Sequence, residues 1–384
     1  MLLGDPIVYW FVRIVLVTIL WFCGWGISTH GKGEKNFWLW AWPAIISYSL
    51  VEGLRWNRGR DYYHYYQDLT GRLFTDYSEP LYLLWIDVFK FSGLPYWVAF
   101  VFYSFLLILG VILILKKIPQ IAIWVLPLFY IITESKSENL IRQFFAIPFI
   151  LYAFYFYLGD KKKYMFVSLI CCVLIHLSGL YAVILFLFFT NIQFKTNKKI
   201  PLTISILYSY LFWFGDNVDF SFVTDFLSSL NVSDDVAFAG YVNNSERWFS
   251  EEGSIANVLG TKAASLSLIS QIARFLSSLT IIFAGYHFIK NNREYNVVYW
   301  LSIFAIIIDS FGGDIEMYQR LVSWTIYLIP FTIGLMFSAS IIKDMDKKYL
   351  FLMGCVIVVN YVFYGFIRNI GSIPYSGCAF IWDK

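Results

Sequence analysis

Runs of about twenty consecutive apolar residues decide what this chain can become. YWVAFVFYSFLLILGVILIL (96–115) and IVYWFVRIVLVTILWFCGWGI (7–27) are two of them. Wound as helix, each is about 30 Å long, the thickness of a bilayer's hydrocarbon layer. Composition leaves no competing soluble core: 59% of residues are hydrophobic, 21% aromatic and 14% charged, and the mean hydropathy is +0.63. These values lie outside the range of soluble domains, so the expected fold is an all-α, polytopic integral membrane protein. The first run is too long for a signal-peptide core and lacks a small-residue cleavage site, which makes it a retained span. Four of the five cysteines (Cys23, Cys171, Cys172, Cys355) fall in apolar runs and imply neither a disulfide framework nor a metal site. Cys378 is expected to be exposed.

Orientation follows from lysine, because basic residues in short loops stay on the cytoplasmic side. Six clusters mark that side: Lys32 with Lys35, Lys116 with Lys117, Lys161 to Lys163, Lys195 with Lys198 and Lys199, Lys290 with Arg293, and Lys343 with Lys347 and Lys348. The apolar runs between them pair up as 37–52 with 95–115, 118–133 with 140–158, 200–215 with 264–289, and 294–310 with 318–342. Single spans at 7–27 and 349–368 complete the set. The segment 164–189 lies between two inner clusters and must cross an even number of times. It is expected to be two short helices meeting at HLSG (176–179), each about 20 Å long, a break tolerated where helix ends line a cavity. The sum is about 10–12 transmembrane helices in one domain over 1–384. It includes a short broken pair, a first outer loop at 53–94 with an interfacial helix at 79–93, and a large outer loop at 216–263.

This topology sorts the two cations. The inner clusters hold 14 of the 18 lysines but one of the 11 arginines. Arg55, Arg58, Arg60, Arg72, Arg142, Arg247, Arg320 and Arg368 fall on the outer side or its helix ends. Arginine stays charged and offers a planar fork that matches phosphate oxygens, so an outer arginine set points to a phosphate or pyrophosphate ligand. The competing reading is a scaffold, with arginines pairing to Asp61, Asp68, Asp76 and Glu79. Glu138 and Arg142, four apart, share a helix face and can pair, while Arg142 and Gln143 enter a span where an unpartnered charge is costly. His176 stands at the expected helix break in the middle of an apolar run. In DSFGGDIEMYQRLVSW (309–324), Arg320 accompanies Asp314 and Glu316, two carboxylates too few to define a cation site.

Several functions are excluded. The chain has no Gly-rich phosphate loop, no HExxH, no CxxC, no strand-helix alternation for a nucleotide-sugar domain and no basic stripe for nucleic acid. No internal repeat of the transporter kind is visible.

GLRWNRGRDYYHYY (53–66) resembles the first-loop signature of the EpsG-like exopolysaccharide proteins, an arginine followed by Gly-Thr-Asp-Tyr and a spaced tyrosine. Arg55, Gly59, Asp61, Tyr62 and Tyr65 match, and Arg60 replaces the usual threonine. Glu79-Pro80, Arg142-Gln143 with Ala146, His176 with Ser178, Arg320 and Pro374-Tyr375 are similar to that family's later landmarks, in the same order. The resemblance implies a Wzy-type polysaccharide polymerase with a C-type glycosyltransferase-like fold in the bacterial inner membrane. Its partners would be undecaprenyl-pyrophosphate-linked glycan donor and acceptor, membrane lipids and a chain-length regulator, with no nucleic acid and no cofactor. On this reading His176 is the base with Asp61 as runner-up, and Arg142, Arg320 and Arg55 stabilise the leaving pyrophosphate, assisted by Arg58, Arg247 and Gln143. No metal is required. An O-antigen ligase or a lipid-linked oligosaccharide flippase is the alternative.

Overall fold

A computed structural model describes residues 4–59, 61–71, 79–191, 199–215, 267–311, 316–338, 346–372 and 377–383. Among these residues there is no strand; one isolated antiparallel bridge joins Arg55 to Phe380. The helices are α1 (Pro6–His30), α2 (Glu34–Gly53), α3 (Tyr62–Leu69), α4 (Pro80–Ser92), α5 (Tyr96–Lys117), α6 (Ala122–Asn139), α7 (Ile141–Leu158), α8 (Lys162–Ile175), α9 (Gly179–Asn191), α10 (Lys199–Phe214), α11 (Leu268–Asn291), α12 (Asn296–Phe311), α13 (Glu316–Ser323), α14 (Ile329–Met336) and α15 (Lys347–Ile357). A π-helix, Val358–Tyr364, continues α15.

Among the described residues, five helical stretches are long and apolar enough to cross a membrane: Pro6–His30, Tyr96–Lys117, Ile141–Leu158, Leu268–Ile289 and Lys347–Asn369. Shorter apolar helices cover Gly179–Asn191, Lys199–Phe214 and Asn296–Ser310. Large apolar side chains are exposed along these helices, among them Ile7, Phe11, Ile184, Ile206 and Phe351, and also on α8 at Ile170. Water would not tolerate that much apolar surface, whereas lipid is indifferent to it, so the molecule is a polytopic membrane protein. Pro43, Pro127 and Pro148 sit inside α2, α6 and α7, interruptions that neighbouring helices in a bundle compensate.

The local chemistry of the ends is ordinary. Asp5 caps α1, its carboxylate accepting from the Ile7 amide at 2.8 Å, and Pro6 follows at the first helical position. The 164–189 run does break where expected: α8 ends at Ile175, His176 is extended (φ −151°, ψ 113°), and α9 begins at Gly179. Glycine is needed there, because a Cβ at 179 would lie 2.8 Å from Cys172 Sγ and 3.2 Å from the Trp324 ring.

The loop after α2 is stitched to the C-terminal segment. Trp56 N donates to Ala379 O and Ile381 N to Leu54 O, both at 2.9 Å. Cys378, expected at the surface, is instead buried at 1% exposure, because this pairing lays its segment against the loop and against Gly4. The large loop at 216–263 with Arg247, the positions Arg60, Arg72 and Asp314, and Pro374-Tyr375 lie outside the described residues.

Gly59 shows how tightly the loop is seated. Its φ is +96°, and a Cβ would lie 2.0 Å from the Glu138 carbonyl oxygen. Gly59→Ala therefore meets both a left-handed backbone and a backbone clash, and should cost about 1–3 kcal/mol or more of stability. Thermal unfolding in detergent checks this; an unchanged Tm would show that the loop can lift away.

Candidate active site

Glu79 organises the cluster. It occupies the N-cap position of α4, and Pro80 at the first helical position fixes the chain so that the carboxylate points inward, buried at 7% exposure. Oε2 accepts from Arg142 Nη1 at 3.0 Å, at the start of α7. Oε1 accepts from the Leu177 amide at 3.2 Å and lies 4.0 Å from His176 Nδ1. One carboxylate thus holds the arginine of one helix and the turn between two half-helices. Ser178 Oγ is 3.2 Å from His176 Nδ1, and the Trp324 ring meets the imidazole edge-on at 5.7 Å.

Arg320 reaches the same place from α13. Gln143 Nε2 donates to the Arg320 carbonyl at 2.9 Å, tying α7 to α13 beside Arg142. His176 lies in the turn outside the helices and is held well below its ordinary value near 6.5, first by burial, then by the charges of Arg142 and Arg320. The imidazole is consequently neutral at pH 7. Tyr65 of α3 responds to the same two guanidinium groups: burial pushes its hydroxyl up to about 12, against the pull of Arg142 and Arg320 and with the push of Asp61 and Asp68. The phenol stays protonated. The cluster has a cationic side at Arg142 and Arg320 and an acidic side at Asp61, which holds the N-cap position of α3.

The remaining expected residues stand elsewhere. Arg55 Nη1 pairs with Glu52 at 3.4 Å, and its Nη2 donates to the Ser137 carbonyl at 3.5 Å. Arg58 Nη2 pairs with Glu138 at 2.6 Å, and its guanidinium lies over the rings of Tyr9 and Phe380. Both arginines are buried, at 4% and 1% exposure. Glu138 and Arg142 do not share a helix face, because the chain breaks at Leu140 (φ −107°, ψ 56°) between α6 and α7. Beside these pairs, Arg13 of α1 forms an ion pair with Glu134, donates to Tyr130 Oη at 3.0 Å and donates to Tyr9 Oη at 2.5 Å. Three arginines (Arg13, Arg55, Arg58) and three glutamates (Glu52, Glu134, Glu138) balance in one buried network. Sequence reasoning missed Arg13 and Glu134, although a lone arginine inside an apolar run announces a buried partner. It also missed Glu79 as the organiser, weighing it only as one of several loop carboxylates.

A family model for the EpsG family matches residues 38–377. The chain belongs to the EpsG family. The matched span takes in Glu79, Arg142, His176 and Arg320, whereas α1 with Arg13 precedes it. In this EpsG-family protein the first-loop signature is largely architecture. Tyr62 stacks on Phe100 at 4.7 Å and donates to the Arg55 carbonyl at 3.0 Å, Gly59 gives close approach to α6, and Tyr65, with Asp61 beside it, carries the motif to the candidate site. Family membership brings a function of the polysaccharide-polymerase type. No curated protein and no solved structure matches the chain.

Proposed function

We propose that this protein is a metal-independent membrane glycosyltransferase of the C-type fold class. It joins undecaprenyl-pyrophosphate-linked oligosaccharide repeat units at the periplasmic face of the bacterial inner membrane. The observation that carries the proposal is the Glu79 bridge, which holds Arg142 and the His176 turn on one carboxylate while Arg320 acts on the same imidazole.

The chemistry fits that arrangement. A hydroxyl of the incoming unit attacks the anomeric carbon of the growing chain, the new C–O bond forms, and the bond to the pyrophosphate oxygen breaks. The hydroxyl proton passes to a ring nitrogen of His176. With Nδ1 facing Ser178 and Glu79, Nε2 is the nitrogen left to accept it. Charge accumulates on the departing pyrophosphate, where Arg142 and Arg320 stabilise it more than they stabilise the ground state. Asp61, on the opposite side near Tyr65, is the alternative base. Arg55 and Arg58 brace the loop that carries Tyr65 and leave pyrophosphate contact to Arg142 and Arg320.

Deleting the gene distinguishes the reactions. Single repeat units on the final acceptor support a polymerase. Long chains stranded on the lipid carrier identify a ligase instead, and units trapped inside the cell identify a flippase.

The pH profile follows from the low proton affinity of His176. The base is active when neutral, so the acid limb of kcat/KM should fall below pH 6.5. Arg142→Gln removes a cation that opposes protonation, so on the residual activity the limb should move to higher pH. A wild-type limb at or above 6.5, or a downward move in the variant, contradicts the assignment.

A further inference from the structure

A cavity opens on the other flank of α13 from the candidate site, with Ile132, Ile306, Val322, Ile326 and Ile329 on its apolar side. It has a volume of about 240 Å³, and Arg274, Asp309, Asn360, Tyr208, Tyr361 and Tyr364 are on its wall. Arg274 Nη2 donates to Asp309 Oδ2 at 2.5 Å, and Gln319 Nε2 donates to Asp309 Oδ1 at 3.4 Å. Lys136 donates in turn to Gln319 Oε1. The Arg274 and Asp309 side chains remain about one-third exposed, at 32% and 30%.

Three features restrict the occupant. First, the opposite charges of Arg274 and Asp309 oppose each other, so the cavity is not a strong anion site and does not duplicate the Arg142–Arg320 pair. Second, the wall is two-sided, an ion pair, an amide and phenols facing aliphatic side chains, and an acyl chain filling it would leave the ion pair and the amide against hydrocarbon. Such a wall does suit a ligand with a hydroxyl rim and a C–H face. Third, the volume falls below the roughly 300–1,000 Å³ of drug-sized sites, the scale of a sugar ring. The backbone there is also specialised. Asn360, Tyr361 and Tyr364 all belong to the π-helix Val358–Tyr364, a geometry that recurs at functional sites. Asn360 Nδ2 is oriented by Ser277 Oγ at 2.7 Å.

We propose that this cavity is a saccharide subsite, holding one neutral sugar ring of the glycan substrate. Its ring faces are set against the tyrosines and its hydroxyls against Asp309, Arg274 and Asn360. The inference rests on the glycosyl-transfer reading, and α13 supplies the connection. Gln319 borders Asp309, while the next residue, Arg320, is held by Gln143 and acts on His176. A ring seated here would fix the register of the glycan relative to the reacting carbon.

Saturation-transfer NMR on the full-length protein in deuterated detergent tests this directly. The probes are the monosaccharides released by acid hydrolysis of the producing strain's polysaccharide, with inorganic pyrophosphate as a competitor. The expected result is transfer to sugar ring protons that pyrophosphate does not displace. Tyr364→Ala and Ser270→Trp, which remove a wall and fill the cavity from α11, should each reduce it by about fivefold or more. Arg142→Ala should leave it intact. Absence of transfer in the wild type, or equal transfer in both cavity variants, overturns the subsite. Sugar binding that persists in a protein unable to polymerise would instead remove the proposed function and keep the subsite.

Discussion

Glu79→Gln should lower the polymerisation rate by about a hundredfold while leaving membrane insertion and folding intact. The carboxylate accepts from two donors, Arg142 Nη1 on Oε2 and the Leu177 amide on Oε1. Glutamine has nearly the same shape but only one accepting oxygen. Whichever way the amide turns, its NH2 faces either the guanidinium or the backbone N–H, donor against donor. Arg142 or the His176 turn then swings out of register, and a misplaced charge loses most of its value to the transition state. Glu79→Asp keeps both acceptors on a shorter stem and should lose less. Accumulation of single repeat units, compared with polymer formed by equal amounts of folded protein, measures the effect. Polymer at wild-type levels from Glu79→Gln would mean that the bridge orients nothing the reaction uses.

The second large effect concerns folding. Arg58 and Glu138 are 1% and 0% exposed as side chains, with 2.6 Å between Nη2 and Oε1. Arg58→Ala leaves a carboxylate buried beside Glu134 and Glu52 with one cation fewer, which should cost about 3–5 kcal/mol. The expected outcome is loss of the monodisperse species in detergent, followed by size exclusion and thermal unfolding. Arg58→Met with Glu138→Gln removes both charges and should regain much of the loss, since a buried pair contributes little beyond satisfying itself. A ligand-binding role for Arg58 makes the opposite forecast. In that case Arg58→Ala folds normally and raises only KM, and folded, stable Arg58→Ala protein would contradict the structural assignment.

The contrast between Arg142 and Arg58 shows what the sequence could and could not convey. Five of the expected spans were legible among the described residues because lipid imposes one length and one polarity on a crossing, and the chain does break at HLSG; the run expected as one span at 318–342 is instead divided into α13, a 3-10 turn at Ile326–Leu328 and α14. His176, Arg142, Gln143 and Arg320 stood out as polar groups at apolar helix ends, and the fold gathers them. Arg55 and Arg58 carried the same signal but turn inward to Glu52 and Glu138. Which arginine finds a carboxylate is a three-dimensional property: Glu52 is three residues from Arg55, whereas Glu79 and Arg142 are brought together by the packing of α4 against α8, of α8 against α7, and of Tyr82 and Trp85 on α4 against Phe145 on α7. Glu138 and Arg142 failed as a helical pair for a local reason, the break at Leu140, that four-residue spacing cannot reveal. The Arg274–Asp309 cavity was hidden because its wall comes from well-separated segments.

The central claim is that guanidinium groups on α7 and α13, with the imidazole between α8 and α9, act on one substrate. In vitro turnover of a defined undecaprenyl-pyrophosphate-linked repeat unit tests it most directly, using folded wild-type, Arg142→Ala and His176→Ala protein in nanodiscs. Product chains longer than one unit from the wild type, with rates reduced by about a hundredfold or more in each variant, are the expected result. Wild-type rates in both variants would contradict the account.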